Sequence, residues 1–188
     1  MSYLVLHMDK FKRESLRGIQ SHNRRERRSH SNPDIRHEKS GENYDLHQPA
    51  VNDYARAVQA RIASLNLPKA VRKDAVVLCG LIVTSDLPFF ARLPPEEQRR
   101  FFEGSRDFLT RFVGQENVIS AMIHRDEKTP HMHFLHVPVT PDGGSTPTPF
   151  THEKACAACK ARCRNIFKPA ASALSAAWSK FPARGAST

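Results

Sequence analysis

No apolar run in these 188 residues approaches the roughly 18 that a membrane-crossing helix needs, so no such span is expected. Cysteine is scarce. The chain has four, three of them crowded at 156, 159 and 163, which is not the framework of a secreted, disulfide-stapled domain. The start, MSYLVLHMDKFKR, has a short apolar stretch but lacks a basic lead-in and a small-residue cleavage site, so it does not read as an export signal. A cytoplasmic protein is the expectation. Acidic residues are in deficit: 19 Asp and Glu stand against 29 Lys and Arg. The resulting net charge of +10 and pI near 9.8 point to a polyanionic partner.

That surplus is unevenly spread. Residues 154–188 hold seven basic residues and no acidic one, which leaves 22 basic against 19 acidic in residues 1–153. Within the latter, Arg24, Arg25, Arg27 and Arg28 crowd one short segment. Alone, such a cluster is more simply a solvated helix face, and it becomes a nucleic-acid hint only beside reactive groups. What is present otherwise is ordinary: 39% hydrophobic and 26% charged residues exclude wholesale disorder. The length suffices for one domain with its own core.

Residues 2–9 have strand composition, and Glu14 to about Arg28 favour helix, with Leu16, Ile19 and His22 at helical spacing. The polar stretch 29–45 reads as a long loop, functional or disordered. Residues 51–66 predict a helix with Tyr54, Val58, Ile62 and Leu65 on one face, ended by Pro68. AVVLCGLIVT at 75–84 predicts a buried strand, with Cys79 a small core residue. Pro94 and Pro95 followed by Glu96 and Glu97 open a helix to about Phe112, closed by Gly114. NVISAMIH at 117–124 and HMHFLHVPV at 131–139 predict two strands joined as a hairpin through Pro130. Beyond residue 150 the composition changes to an alanine-rich, weakly patterned tail.

The strongest chemical signal lies in that hairpin. Strand side chains alternate faces, so His131 and His133 project together while Met132 points into the opposite layer. The returning chain can bring His124 beside them. Isolated histidines such as His7, His37 and His47 more simply decorate a polar surface, and His136 has the wrong parity. Three imidazoles within ten residues instead match a divalent transition-metal site with open positions. Asp126 and Glu127 are close enough to fix the imidazole tautomers. A rival stripe, His152, Cys156, Cys159 and Cys163, would lie along one helix, which cannot wrap four ligands tetrahedrally around an ion.

A second constellation, Ser21-His22-Asn23-Arg24-Arg25 followed by His30-Ser31-Asn32-Pro33-Asp34-Ile35, completes a pattern. With MSYLVLHMDK at the start, NYDL at 43–46, RKDAVVLCGLIVTSD at 72–86 and HRDEKTPHMHFLHVPV at 124–139, the chain resembles the MobV-type relaxases of the plasmid mobilisation (Mob/Pre, plasmid recombination enzyme) family. The resemblance covers roughly residues 1–153 and is most specific in the last motif.

The resemblance implies an α+β domain over 1–153, with an HUH-type antiparallel β-sheet and flanking helices. HUH endonucleases carry two histidines around a hydrophobic residue on a central strand. His131-Met132-His133 has that form, and His124 matches the third ligand. The implied metal is Mn²⁺ ahead of Mg²⁺, since imidazole suits a transition ion and Mg²⁺ prefers oxygen. The implied partner is plasmid origin-of-transfer DNA, its single-stranded nick region and adjacent hairpin. The implied reaction is metal-dependent nicking of one strand with a covalent 5′-DNA–protein link. His22 matches the nucleophile of the MobV group, with Tyr44 its rival. Asp126 or Glu127 would orient His22, and Asn23, Arg24, Arg25, Arg28 and Tyr44 would contact DNA.

Full-length relatives continue into further helices and dimerise. Here the match is expected to stop at Lys154, and the acid-free tail over 154–188 reads as a shifted frame or a degenerate gene end. Two other readings fit the same residues: a rolling-circle replication initiator, or a non-catalytic origin-binding protein or autorepressor.

Overall fold

His131–His136 forms the middle strand of a five-stranded antiparallel sheet, and every other element is arranged around it. A computed structural model describes residues 5–28, 32–47 and 52–139. In chain order the strands are β1 (Val5–Lys12), β2 (Tyr44–Asp45), β3 (Val76–Thr84), β4 (Val118–His124) and β5 (His131–His136). The helices are α1 (Leu16–Arg24), α2 (Tyr54–Ser64), α3 (Leu87–Ala91) and α4 (Pro95–Val113). The spatial order is β1-β3-β5-β4-β2, with each neighbouring pair antiparallel. The expected α+β architecture is therefore present, and β4 and β5 pair as neighbours.

The strands form where sequence pattern and burial agree. β3 lies between β1 and β5, and its near-continuous apolar run is covered on both faces; Val77, Leu78 and Cys79 are wholly buried. Leu16, Tyr54, Val58, Ile119, Leu135 and Val137 form a core on the side of α1 and α2. The Tyr54 hydroxyl donates to Ser120 Oγ at 2.9 Å, which ties α2 to that face of β4. Gly80 is required here for close approach, because a Cβ would stand 2.9 Å from the Phe11 ring and 3.1 Å from Leu135 Cδ2. On the opposite face α4 brings Phe101, Phe102, Ser105 and Leu109 into the interior.

The structure departs from the sequence expectations at several ends. β1 runs on to Lys12, past the end expected at residue 9. The helix expected to Arg28 stops at Arg24, because Arg25 turns left-handed (φ 54°) and its guanidinium is held elsewhere. The stretch 29–45 is not wholly loop: His37–Glu42 makes 3₁₀ turns and Tyr44–Asp45 adds an edge strand. The short α3 was not foreseen; Asp86 caps it by accepting the Phe89 amide at 3.2 Å. The tail, its boundary at 153/154 and the His152–Cys163 stripe lie outside the described residues. No helix among the described residues is long and apolar enough to cross a membrane.

Leu135→Ala should cost about 3 kcal/mol, since it empties a wholly buried site between α2 and the sheet. Asp53→Ala should cost about 1 kcal/mol through loss of the α2 cap, where Asp53 accepts the Arg56 amide. Urea denaturation of the two variants checks both values, and the ordering should hold.

Candidate active site and metal centre

The hairpin register sets the site. His124 pairs directly with His131, and Met122 with His133, so all three histidines share one face of adjacent strands. Their ring centroids lie 4.7–5.1 Å apart. His131 Nδ1 is 2.9 Å from the Thr129 carbonyl, which can only accept, so Nδ1 carries the proton and Nε2 keeps its lone pair. His124 Nε2 likewise donates to the Asn23 carbonyl at 2.9 Å. Its Nδ1 lone pair is then left buried without a hydrogen-bond partner among the described residues. His131 Nε2 and His133 Nε2 face each other at 3.1 Å. Thr84 Oγ1 pins the hairpin from β3 by donating to the Pro130 carbonyl at 2.7 Å.

Burial favours the neutral form of His124 and His133. Desolvation, followed by the Arg25 guanidinium, lowers His124 to about 3. Desolvation and the neighbouring imidazoles of His124 and His131 push His133 well below the usual histidine range. A neutral imidazole offers a lone pair to a metal or a phosphorus atom; a protonated one does not.

His22 comes from the last turn of α1. Its ring centroid lies 5.4 Å from that of His124 and 5.3 Å from that of His133, edge to face with both. It is partly exposed, and burial and Arg25 lower its pKa. Candidate ligand atoms of His22, His124 and His133 lie within 4.8 Å of one another, as do those of His124, Glu127 and His131.

Arg25, the residue that ends α1, organises the rest. Its Nε and Nη2 donate to Asp126 Oδ2 and Oδ1 at 2.8 and 2.9 Å, and Nη2 also donates to Glu127 Oε1 at 2.6 Å. Its Nη1 donates to the His22 carbonyl at 3.0 Å, holding the helix end beside the histidines. The Asp126 side chain is fully buried and accepts a further bond from Ser40 Oγ at 2.7 Å. Burial by itself would raise that carboxyl; the Arg25 fork and Ser40 outweigh it and hold it well below the usual carboxylate range. The Asp126 carbonyl accepts the Arg36 amide at 2.8 Å, and the Arg125 amide donates to Asn43 Oδ1 at 2.8 Å, so the polar stretch docks on the hairpin turn.

The site thus gathers His22, Arg25, Asp126, Glu127, His124, His131 and His133. Two expectations need correction. Asp126 and Glu127 do not fix the ring tautomers: the carbonyls of Thr129 and Asn23 do, and Glu127 Oε1 stands 3.8 Å from His124 Nδ1 and 3.9 Å from His131 Nε2. Both carboxylates are tied to the backbone of His22 through Arg25, and act on its ring through their charge alone. Tyr44 is not beside the histidines. It pairs with Ile123, and Ile123 with Met132, so register puts it on the opposite face, under the Arg99 guanidinium 5.1 Å from its ring centroid. His136 also faces away from the site, its ring 6.0 Å from Phe134. Arg24 lies over the Tyr54 ring at 5.3 Å, and Arg28 is exposed. Sequence reasoning missed Ser40, Asn43, Thr84 and the two carbonyls. No local pattern marks them, because their roles arise from contacts across the chain.

An antiparallel sheet whose middle strand carries two histidines on one face, opposed by a histidine on a helix, has the relaxase-domain fold of the HUH class. The chain belongs to the plasmid recombination enzyme family, whose model matches residues 1–171, further than the motifs foresaw. A plasmid recombination enzyme of Bacillus sp is 49% identical over 140 residues, 74% of this chain and 34% of the relative. A type 2 plasmid recombination enzyme of Staphylococcus aureus is 46% identical over 140 residues, covering 74% and 33%. The chain therefore spans about a third of the length of these curated relatives. Among solved structures, the MobM relaxase domain bound to plasmid oriT DNA and manganese superposes with a TM-score of 0.70 at 33% identity, covering 88% of this chain and 86% of that one.

Removing Arg25 would leave Asp126 charged and buried, so Arg25→Ala should destabilise the fold by about 3–5 kcal/mol in urea denaturation. The histidines make a second prediction. Unfolded imidazoles take up protons below about pH 6.5, whereas folded His124 stays neutral down to about 3. The unfolded state then binds more protons, so stability of the metal-free protein is lost as pH falls through this window. Asp126, depressed as well, adds to the loss at lower pH. The urea midpoint should drop between about pH 7 and about pH 5, and a flat or rising midpoint would contradict the neutral-ring arrangement.

Proposed function

We propose that this chain binds plasmid origin-of-transfer DNA and nicks one strand by transesterification, with His22 as nucleophile and a divalent metal at the hairpin histidines. The observation that carries the reading is the neutral His22 ring held against His124 and His133, on the same side of the sheet. DNA bound by a solved relative with this fold, and the shared family, support the substrate class. A plasmid substrate would put the reaction in the cytoplasm.

The residues fit a metal. His124 has a buried, unpartnered Nδ1, and the His131 and His133 Nε2 atoms face each other at 3.1 Å. His124, His131 and His133 would hold it, with Glu127 Oε1 near two of the three. Three nitrogen donors favour Mn²⁺ over Mg²⁺, and manganese is the ion in the solved MobM relaxase domain. When bound, the ion neutralises charge on the scissile phosphate and orients it for in-line attack.

The rest falls to the chain's own side chains. His22 attacks phosphorus with its nitrogen lone pair; the P–N bond forms as the P–O3′ bond breaks, the ring gives up the proton on its other nitrogen to solvent, and the released 3′ oxygen takes one from solvent. The 5′ end stays on His22 as a phosphoramidate, which retains the capacity to rejoin strands. Arg25 holds the helix end in register through the His22 carbonyl. Arg24 and Arg28 supply positive charge along the incoming backbone.

Incubation with origin-bearing single strands and Mn²⁺ should give a protein–DNA adduct on a denaturing gel, labile in acid and stable in base. His22→Ala should remove the adduct and Tyr44→Phe should keep it; the reverse pair of results would transfer the role to Tyr44. Intact DNA that is nonetheless bound would favour an autorepressor. Mn²⁺ should raise the melting temperature of the wild-type protein, and His133→Ala should abolish that rise. An undiminished rise in the variant would remove His133 from the metal centre.

A further inference from the structure

The histidine cluster holds one donor more than the hairpin supplies. His22 stands against the strand histidines as a fourth imidazole, its centroid 5.4 Å from that of His124 and 5.3 Å from that of His133. At interplanar angles of 68° and 73° the rings touch edge to face, so nothing lies between the His22 ring and those two. Candidate ligand atoms of His22, His124 and His133 all lie within 4.8 Å of one another. A metal–imidazole bond is about 2 Å long, so two ligands of one ion stand no more than about 4 Å apart. A rotation of the partly exposed His22 side chain is enough to close that gap. His124 also belongs to a second such group, with Glu127 and His131, so it sits where the two meet.

His22 differs from its neighbours in how it is held. His131 Nδ1 donates to the Thr129 carbonyl and His124 Nε2 to the Asn23 carbonyl, which fixes the nitrogen that each presents. The His22 ring makes no hydrogen bond among the described residues. Its main chain, by contrast, is anchored: Arg25 Nη1 donates to the His22 carbonyl at 3.0 Å. The next carbonyl along the helix, that of Asn23, accepts His124 Nε2–H at 2.9 Å. The end of α1 is thus bound to the metal hairpin from two sides, while the ring it carries is left to turn. An anchored backbone under an unanchored ring gives a side chain with two places to go.

We propose that, with no DNA bound, His22 is itself a ligand of the metal beside the three hairpin histidines, and that an oxygen of the scissile phosphate displaces it. The proposal rests on the metal centre and nicking reaction above and adds their resting state. A lone pair committed to a metal cannot attack phosphorus, so the nucleophile is masked until its substrate arrives. The exchange balances simply. One metal–nitrogen bond breaks, one metal–oxygen bond forms, and the lone pair released is the one that attacks. No proton moves and nothing is oxidised. The lost bond is a cost that contacts along a whole origin strand can meet and a stray phosphate ion cannot, which turns remote binding energy into selectivity.

The test loads the full chain, its histidine rings labelled with ¹⁵N, with Mn²⁺ and counts metal-bound ring nitrogens by electron–nuclear double resonance. Wild-type protein without DNA should show one more than His22→Ala. An origin-bearing single strand with a methylene group in place of the scissile 3′ oxygen, which cannot be cut, should remove that extra nitrogen from the wild type. The same strand should leave the count in His22→Ala unchanged. Calorimetric titration gives a second readout. Without DNA, His22→Ala should bind Mn²⁺ at least about tenfold more weakly, since even a partner one shell further out is worth that much. With the uncut strand bound, the difference should vanish. Equal counts and equal affinities in the two proteins without DNA overturn the proposal and leave the metal centre standing. An extra nitrogen that persists once the strand is bound overturns it too. No coupled ring nitrogen in either protein sinks the metal centre, and the proposal with it. The displacement arm uses the unaltered chain, so a misfolded variant does not spare the proposal.

Discussion

Arg25 and Asp126 form the contact on which the site depends. A fully buried carboxylate is tolerable only because a guanidinium meets both its oxygens and Ser40 adds a third bond. The consequences spread along the chain. Arg25 must leave the helical conformation to reach Asp126, so α1 ends at Arg24 with His22 in its last turn. Asp126 lies in the turn between β4 and β5, so the same bond clamps that turn. Ser40 draws in the polar stretch, whose end supplies β2. Three segments distant in sequence are held by one ion pair, and a pair broken at either member leaves a charge uncompensated in the interior.

That cation also sits close to four imidazoles. Without Arg25 the acidic pair would favour protonated rings; with it, much of that negative charge is offset and desolvation decides. His22, His124 and His133 are held towards the neutral form, the state that both metal binding and nucleophilic attack demand. The tautomers are assigned by backbone carbonyls, which cannot titrate. Orientation is thereby independent of pH, whereas the availability of the lone pairs is not.

The division of the sheet into two faces separates two histidine-rich or aromatic neighbourhoods that are adjacent in sequence. One face carries His124, His131 and His133 towards α1; the other carries Tyr44, Met132, Phe134 and His136 towards α4. Tyr44 and His22 therefore cannot exchange roles by a small motion, since strand parity lies between them.

The sequence by itself determined the sheet strands, α2 and α4, and the common face of His131 and His133. Each depends on a local period: alternation in a strand, 3.6 residues in a helix, proline and glycine at the ends. Even the neighbourhood of His124 followed from one hairpin. What remained were contacts between residues far apart: the early end of α1, the docking of the stretch around Ser40 and Asn43, the link from both carboxylates to His22 through Arg25, and the side of the sheet taken by Tyr44. An arginine followed by two more basic residues two and three places on looks the same in sequence whether it faces solvent or a buried aspartate 101 residues away. Only the tertiary structure decided that, because the energy of a buried ion pair depends on where both partners lose their water.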